Sequence, residues 1–365
     1  MNGISIIICC YNSAQRLPKT LQHIAQQKID KNISLKWELI IVNNASTDST
    51  VNVAKKEWKK YSINVNLKIA EQPIQGLSFA RQKGIEVAKY NYLLFCDDDN
   101  WLNNNYVDTA YSTMELHPEV GVLGGQMIGF FEIEKPFWFD HFSQSYAVEK
   151  PMNSSGYISY PREYLAGAGM IIRKEFINAL QNVNFNPILT GRIGNSLMSG
   201  EDYELCLLSQ YLGFKIYFEE KLVLTHFISR KRLTWDYFLK MTTEGQAIPE
   251  IIYDLYRIVN YYKQNKVKYP FNIIYLKQLA FYFIEMLSCK KHNIKGFLSF
   301  LLNLQLFFIK KPGMNCQRIL LSSKNKFFFF LTNKKLIKNY FNRINILFKN
   351  INIRKNNITN NSYAE

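Results

Sequence analysis

Asp97, Asp98 and Asp99 follow the apolar run "YLLFC" without a break, and Asn100 comes next. Carboxylates crowded at one strand end raise one another's pKa unless a cation neutralises them. Hard oxygen ligands favour magnesium or manganese, ions that commonly reach phosphates as well as protein. On residue types alone a solvated acidic turn accounts for the triplet equally well. A second acidic pair, Glu201 and Asp202, opens the helix-like stretch "EDYELCLLSQY". Acid at a helix start suits the helix dipole, so capping is the plain explanation there.

The elements around these residues point to one architecture. "ISIIICC", "WELIIVN" and "NYLLFC" are continuously apolar over a few residues, as strands covered on both faces must be. Stretches of helical spacing and length separate them: "SAQRLPKTLQHIAQQ", then "STDSTVNVAKKEWKKY" and "LSFARQKGIEVAKY". Such alternation predicts a mostly parallel central sheet with right-handed crossovers and helices on both faces. Ligands of such sheets gather beyond the carboxyl ends of the strands, where Tyr11, Asn43 and Asp97 stand. Residues 126–200 are less regular, although "LAGAGMIIRKEF" reads as a strand turning into a helix. "LTGRIGNSLMSGED" reads as a Gly-rich loop able to close over a ligand.

Charge divides the chain. Residues 251–365 hold 20 Lys/Arg against 3 Asp/Glu, whereas residues 1–250 hold 25 against 26, so the excess behind the +16 total lies in the last third. From Leu233 the composition turns to Tyr, Phe, Ile, Leu, Lys and Asn. We therefore expect an α/β catalytic domain over residues 1–232, a basic, aromatic-rich helical region over 233–348 and a frayed tail over 349–365. "FNIIYLKQLAFYFIEMLS" carries Lys277 and Glu285, and "GFLSFLLNLQLFFI" is shorter than the roughly 17 to 25 residues a membrane span needs. An anionic membrane surface is the partner that suits this region, with a helical subdomain bearing a solvated basic face as the equal alternative. No nucleic-acid recognition motif is present. The N-terminus lacks the features of a signal peptide, and the six cysteines form no CxxC pair. A cytoplasmic protein is expected, peripheral at the inner face of the cell membrane if the basic region binds lipid.

"SIIICCYN", "ELIIVNNASTDST", "QGLSFARQKGIEVAKYNYLLFCDDDN", "AGAGMIIRKEF" and "SGEDYELCLLSQYLGFKIYFEEKLVLTHF" follow one another at spacings that closely resemble glycosyltransferase family 2 over roughly residues 3–230. The resemblance implies a GT-A fold and an inverting transfer of a sugar from a nucleotide diphosphate, a UDP-sugar above all, to a bacterial cell-surface glycan or lipid-linked acceptor. It places Tyr11 against the base and Asn43 where the family usually has a base-binding aspartate, the Asn43 amide oxygen still being able to accept a uracil N3–H. Arg81 is placed near the nucleotide. Asp97 and Asp99 become the acidic positions of a DXD motif, with Asp99 the direct ligand of Mn2+ or Mg2+ and His226 approaching the metal or the diphosphate. Asp98 would face the ribose or solvent. Asp202 becomes the general base, and Glu201 a contact to acceptor or donor sugar, with capping as its rival. Asp48 is taken as a helix-start residue. Trp138, in "PFWFDHF", is either an aromatic acceptor platform or ordinary core. A nucleotidyltransferase would need a Gly-rich phosphate loop, and "CCYNSAQRLP" has no glycine. The remaining alternative is a catalytically inactive sugar- or nucleotide-binding relative attached to membrane by its basic region.

Overall fold

The computed structural model of the chain describes residues 1–32, 34–159, 162–194, 196–265, 271–288, 326 and 329–361. The helical stretch expected at 296–309 lies outside them. Two compact units emerge, one of Met1–Pro136 with Ser143–Thr234, the other of Phe137–Phe142 with Trp235–Glu365.

In the first unit, β1 (Ile4–Cys10), α1 (Leu17–Ala25), β2 (Trp37–Asn43), α2 (Thr50–Lys59), β3 (Leu67–Glu71), α3 (Leu77–Val87) and β4 (Tyr92–Phe95) alternate as expected, with β3 added. There follow β5 (Asn100–Leu102), α4 (Tyr106–Leu116), β6 (Val120–Phe131), β7 (Gly156–Tyr157), β8 (Ile171–Arg173), α6 (Lys174–Asn182), α7 (Glu201–Tyr211) and β9 (Lys215–Ile228), with α5 (Phe139–Phe142) interposed from the second unit. The strands form one sheet in the order β3-β2-β1-β4-β8-β6-β9-β5, and β7 pairs with β9 off this path. β3, β2, β1 and β4 are mutually parallel, β8 runs antiparallel between β4 and β6, and β9 is parallel to β6 but antiparallel to β5. The sheet is thus mixed, with its parallel half carrying the strand ends singled out above.

Strand periodicity explains the two layers. Ile4, Ile6 and Ile8 pack on one side with Leu17, Leu21 and Ile24 of α1, Ala54 of α2 and Tyr106 and Val107 of α4. Ile7 and Val42 face the other side, against α3. There Gly84 lets the helix come close, since a Cβ at that position would stand 2.4 Å from Ile7 Cγ2. Alternate side chains of one strand therefore anchor helices on opposite faces.

The second unit is helical. It contains α5, α8 (Trp235–Lys240), a wide turn at Met241–Gln246, α9 (Ala247–Gln264), α10 (Phe271–Ser288) and α11 (Lys334–Asn361). The hydroxyl of Tyr282 on α10 donates to Asp254 of α9 at 2.6 Å, and Tyr256 of α9 meets Phe348 of α11 at 6.2 Å between ring centres. Residues 349–361, expected as frayed tail, instead continue α11. Ile344, Leu347, Phe348 and Ile351 are all buried and repeat at helical spacing, which carries the helix into the Asn-rich sequence. No helix among the described residues is long and apolar enough to cross a membrane. Cys9, Cys10, Cys96 and Cys206 are free thiols.

Candidate active site

The acidic strand end occupies the turn between β4 and β5, and its three carboxylates meet three different environments. Asp98, expected to face a ribose or solvent, is largely buried and paired with a side chain of this chain. Arg16, just ahead of α1, grips it with Nε to Oδ1 at 3.1 Å and Nη2 to Oδ2 at 2.6 Å, and Thr20 donates to its carbonyl at 2.8 Å. A forked guanidinium matches a carboxylate at both oxygens, which is why this buried charge is tolerated. Burial and Asp99 push the Asp98 carboxyl upward, and Arg16 opposes them.

Asp99 lies beside β9. Its Oδ2 is 3.7 Å from His226 Nε2 and 3.5 Å from Arg232, and Arg232 in turn reaches His226 Nε2 at 3.0 Å. The pairing Asn100↔His226 between β5 and β9 sets this contact. Burial works to raise the Asp99 pKa, but His226 and Arg232 outweigh it and hold the carboxyl well below the usual range. Asp97 differs again: burial and Asp99 raise it, and Arg81 and His226 pull it back.

The residues present fit a divalent ion in their chemistry. Two carboxylates and an imidazole flank one turn, and among the described residues the buried Nδ1 of His226 and Oδ1 of Asn100 have no hydrogen-bond partner. Among the described residues no three His, Cys, Asp or Glu side chains close into an all-protein metal cage. An ion that keeps phosphate oxygens and water as ligands needs only one or two carboxylates.

Arg81 joins the acidic turn to the second acidic pair. From α3 its guanidinium lies over the Phe95 ring at 5.4 Å and pairs with Glu201 at 3.1 Å, both side chains being largely buried. Glu201 is thereby engaged in holding Arg81, and its Oε2 is buried without a partner among the described residues. Asp202 Oδ2 accepts the Gly167 N–H at 2.8 Å, and Oδ1 accepts the Tyr203 N–H at 2.9 Å. Burial and the neighbouring Glu201 charge raise the Asp202 carboxyl to about 7, against the pull of Arg81 and the two backbone donors. A carboxylate poised near neutrality is well matched to accepting a proton there.

Gly167 is where these groups meet. A Cβ on it would stand 3.0 Å from Arg81 Nη2 and 3.3 Å from Asp202 Cβ. Gly167→Ala is expected to shift the guanidinium and lower turnover about tenfold, in keeping with the cost of small misplacements at reacting groups. Gly156→Ala serves as control, because its Cβ would meet only Met152 Cε at 3.4 Å. Equal turnover in the two variants, measured as product formed per unit time, would remove Gly167 from the site.

The other expected residues fall as follows. Tyr11 stands 44% exposed just past β1, and Asn43 closes β2, donating to Glu71 at 2.7 Å. Asp48 organises its loop, accepting the N–H groups of Ala14 at 3.1 Å and Thr50 at 3.0 Å. The Gly-rich loop is pinned at its start, where Ser78 Oγ donates to the Thr190 carbonyl at 2.7 Å. Trp138 belongs to the second unit, 7% exposed among Phe139, Trp235 and Phe238. Sequence reasoning passed over Arg16 and Arg232. Both sit in unremarkable basic or polar stretches, and only the fold brings them to the acidic turn.

The acidic turn, the histidine and the buried aspartate thus gather near the carboxyl ends of the parallel strands, where open α/β sheets receive ligands. Residues 5–178 match the sequence model of the family described as Glycosyl transferase family 2. The glycosyltransferase GlyA of Streptococcus pneumoniae serotype 4 is 33% identical over 144 residues, 39% of this chain and 19% of that protein. A cholesterol galactosyltransferase of Borreliella burgdorferi is 31% identical over 110 residues, 30% of this chain and 28% of that one. The matches thus span less than a third of these relatives' lengths. The crystal structure of S. aureus TarS 1-349 in complex with UDP-GlcNAc aligns with 68% of this chain and 66% of its own at 18% identity, with a TM-score of 0.47.

Proposed function

We propose that the chain is an inverting glycosyltransferase that moves a sugar from a nucleotide diphosphate donor, a UDP-sugar, to a hydroxyl of a glycan or lipid-linked glycan. The observation that carries this reading is the link from Asp97 and Asp99 through Arg81 to Glu201 and Asp202, which puts an anion-rich turn and a separate poised carboxylate in one electrostatic unit. Asp202 takes the proton of the acceptor hydroxyl as that oxygen attacks the anomeric carbon from the face opposite the departing diphosphate. Arg81, fixed by Glu201 and Phe95, keeps positive charge between the two carboxylate groups. Asp99 and Asp97, with His226, would hold a Mn2+ or Mg2+ ion, which when bound supplies charge for the leaving diphosphate. Arg16 keeps Asp98 out of that work.

The inactive alternative predicts binding without turnover. Incubating the full chain with a panel of nucleotide sugars and manganese, and following nucleoside diphosphate release, separates the two. Release from at least one sugar is expected; binding of a nucleotide sugar with no release, with or without added acceptors, would favour the inactive reading.

The basic second unit is proposed to rest on anionic lipid. It exposes Leu276, Phe281 and Ile346, and residues 251–365 are overwhelmingly positive. In cosedimentation with phosphatidylglycerol vesicles the chain should pellet at low salt and be released at high salt, with no pelleting on phosphatidylcholine. Pelleting that ignores both salt and headgroup charge, or none at all, would contradict a lipid-bound basic face.

A further inference from the structure

Arg232 has no role in the transfer described above, yet it reaches the two atoms on which a bound ion would depend. Its Nη1 lies 3.0 Å from His226 Nε2 and 3.5 Å from Asp99 Oδ2, and those two atoms are 3.7 Å apart. The three side chains are largely buried and come from the short helical turn Arg230–Leu233, from β9 and from the acidic turn. A guanidinium is always charged and carries donors only. The lone pair of His226 Nε2 is therefore aimed at Arg232, and Asp99 Oδ2 faces the same nitrogen.

That lone pair is the only one on the nitrogen, so Nε2 can accept from Arg232 or ligate a metal ion, but not both at once. An ion that uses His226 has to displace the guanidinium. A largely buried guanidinium drawn away from its carboxylate needs another anion, because an uncompensated buried charge is strongly destabilising. Arg232 has a donor to spare for one: its Nε is buried with no acceptor among the described residues. We propose that Arg232 couples the ion to the donor, guanidinium and ion excluding each other at His226 Nε2 while the donor's diphosphate takes up the displaced guanidinium. This rests on the nucleotide-donor reading and on the ion site given above. An ion arriving alone strips Arg232 of its partners and then binds beside an unpaired positive charge. One arriving with a diphosphate does neither.

Isothermal titration of the full chain with Mn2+, with and without saturating UDP and corrected for the manganese–UDP complex formed in solution, reads this out. In the unsubstituted chain UDP should tighten manganese at least about thirtyfold, and manganese should tighten UDP by the same factor, as linkage requires. Arg232→Met should tighten manganese alone about tenfold, weaken UDP and shrink the coupling factor at least about fivefold. Manganese alone should then raise the melting temperature of Arg232→Met by more than that of the unsubstituted chain. Arg232→Lys, which restores a charged donor, should recover part of the coupling. Lys231, the exposed neighbour, controls for charge alone, and Lys231→Met should match the unsubstituted chain. Manganese affinity unchanged or weakened in Arg232→Met, an undiminished coupling factor, or the same changes in Lys231→Met would overturn the exchange. So would absence of coupling in the unsubstituted chain, a result that needs no variant to fold. Failure of the unsubstituted chain to bind manganese or UDP in any combination would instead overturn the nucleotide-donor reading, and this inference with it.

Discussion

Replacing Asp202 with Asn should lower transfer by about 10² to 10⁴-fold while leaving donor affinity within a factor of a few, because only proton acceptance is lost. The pH profile should carry the same signature. Only the ionised carboxylate can take a proton, and burial with Glu201 lifts this group to about 7, so the unsubstituted rate should climb as pH rises through 7 and level off above it. Asp202→Asn should lose that limb. Stability should move the opposite way. A carboxyl whose pKa rises from 3.8 to about 7 on folding contributes stability that is complete below the lower value and lost as pH rises through the upper one. The neutral amide can accept only one of the Gly167 and Tyr203 N–H groups, so it loses a hydrogen bond at every pH, but it carries no buried charge, and the difference in melting temperature from the native side chain should therefore move in favour of Asp202→Asn as pH rises from 5 to 8. A variant that is slower, unchanged in donor binding and relatively more stable at high pH cannot be explained as a folding defect.

Asp99→Ala should have an effect of similar size by a different route. Removing this carboxylate takes away the strongest anion in the acidic turn and leaves Arg232 and His226 facing each other without their shared partner. Charge stabilisation of a leaving group by a bound ion is worth several kcal/mol, so turnover should fall by about 10² to 10³-fold or more. Here donor and manganese binding should fall too, the latter followed by electron paramagnetic resonance of the free ion. The melting temperature should drop, since a largely buried guanidinium loses its counter-charge. Retention of manganese affinity in this variant would take Asp99 out of the ion's reach.

Much of this arrangement is legible in the sequence where strands are covered on both sides. β1, β2 and β4 announce themselves as unbroken apolar runs, and the residues that follow them are the ones the fold sets at the carboxyl edge. β3 is silent for the converse reason. It lies at the end of the sheet, with Leu67 and Ile69 only partly buried and Lys68 and Glu71 exposed, so "LKIAE" shows no apolar run. Missing that strand also hides the Asn43–Glu71 contact at the sheet's edge. The ion pairs are hidden differently: Arg16 and Asp98 are 82 residues apart, Arg81 and Glu201 are 120 apart, and nothing local marks either pair. Glu201 illustrates the limit well. At a helix start it reads as a cap, and only the approach of α3 turns it into the anchor of Arg81.

The central claim is that the acidic turn binds the donor and Asp202 alone accepts the proton. Donor affinity and transfer rate, measured side by side for the unsubstituted chain, Asp99→Ala and Asp202→Asn with one accepted nucleotide sugar, test it most directly. The account predicts that Asp202→Asn binds the donor normally and does not turn it over, while Asp99→Ala does neither. Transfer that survives in Asp202→Asn, or donor binding lost equally in both variants, would contradict it.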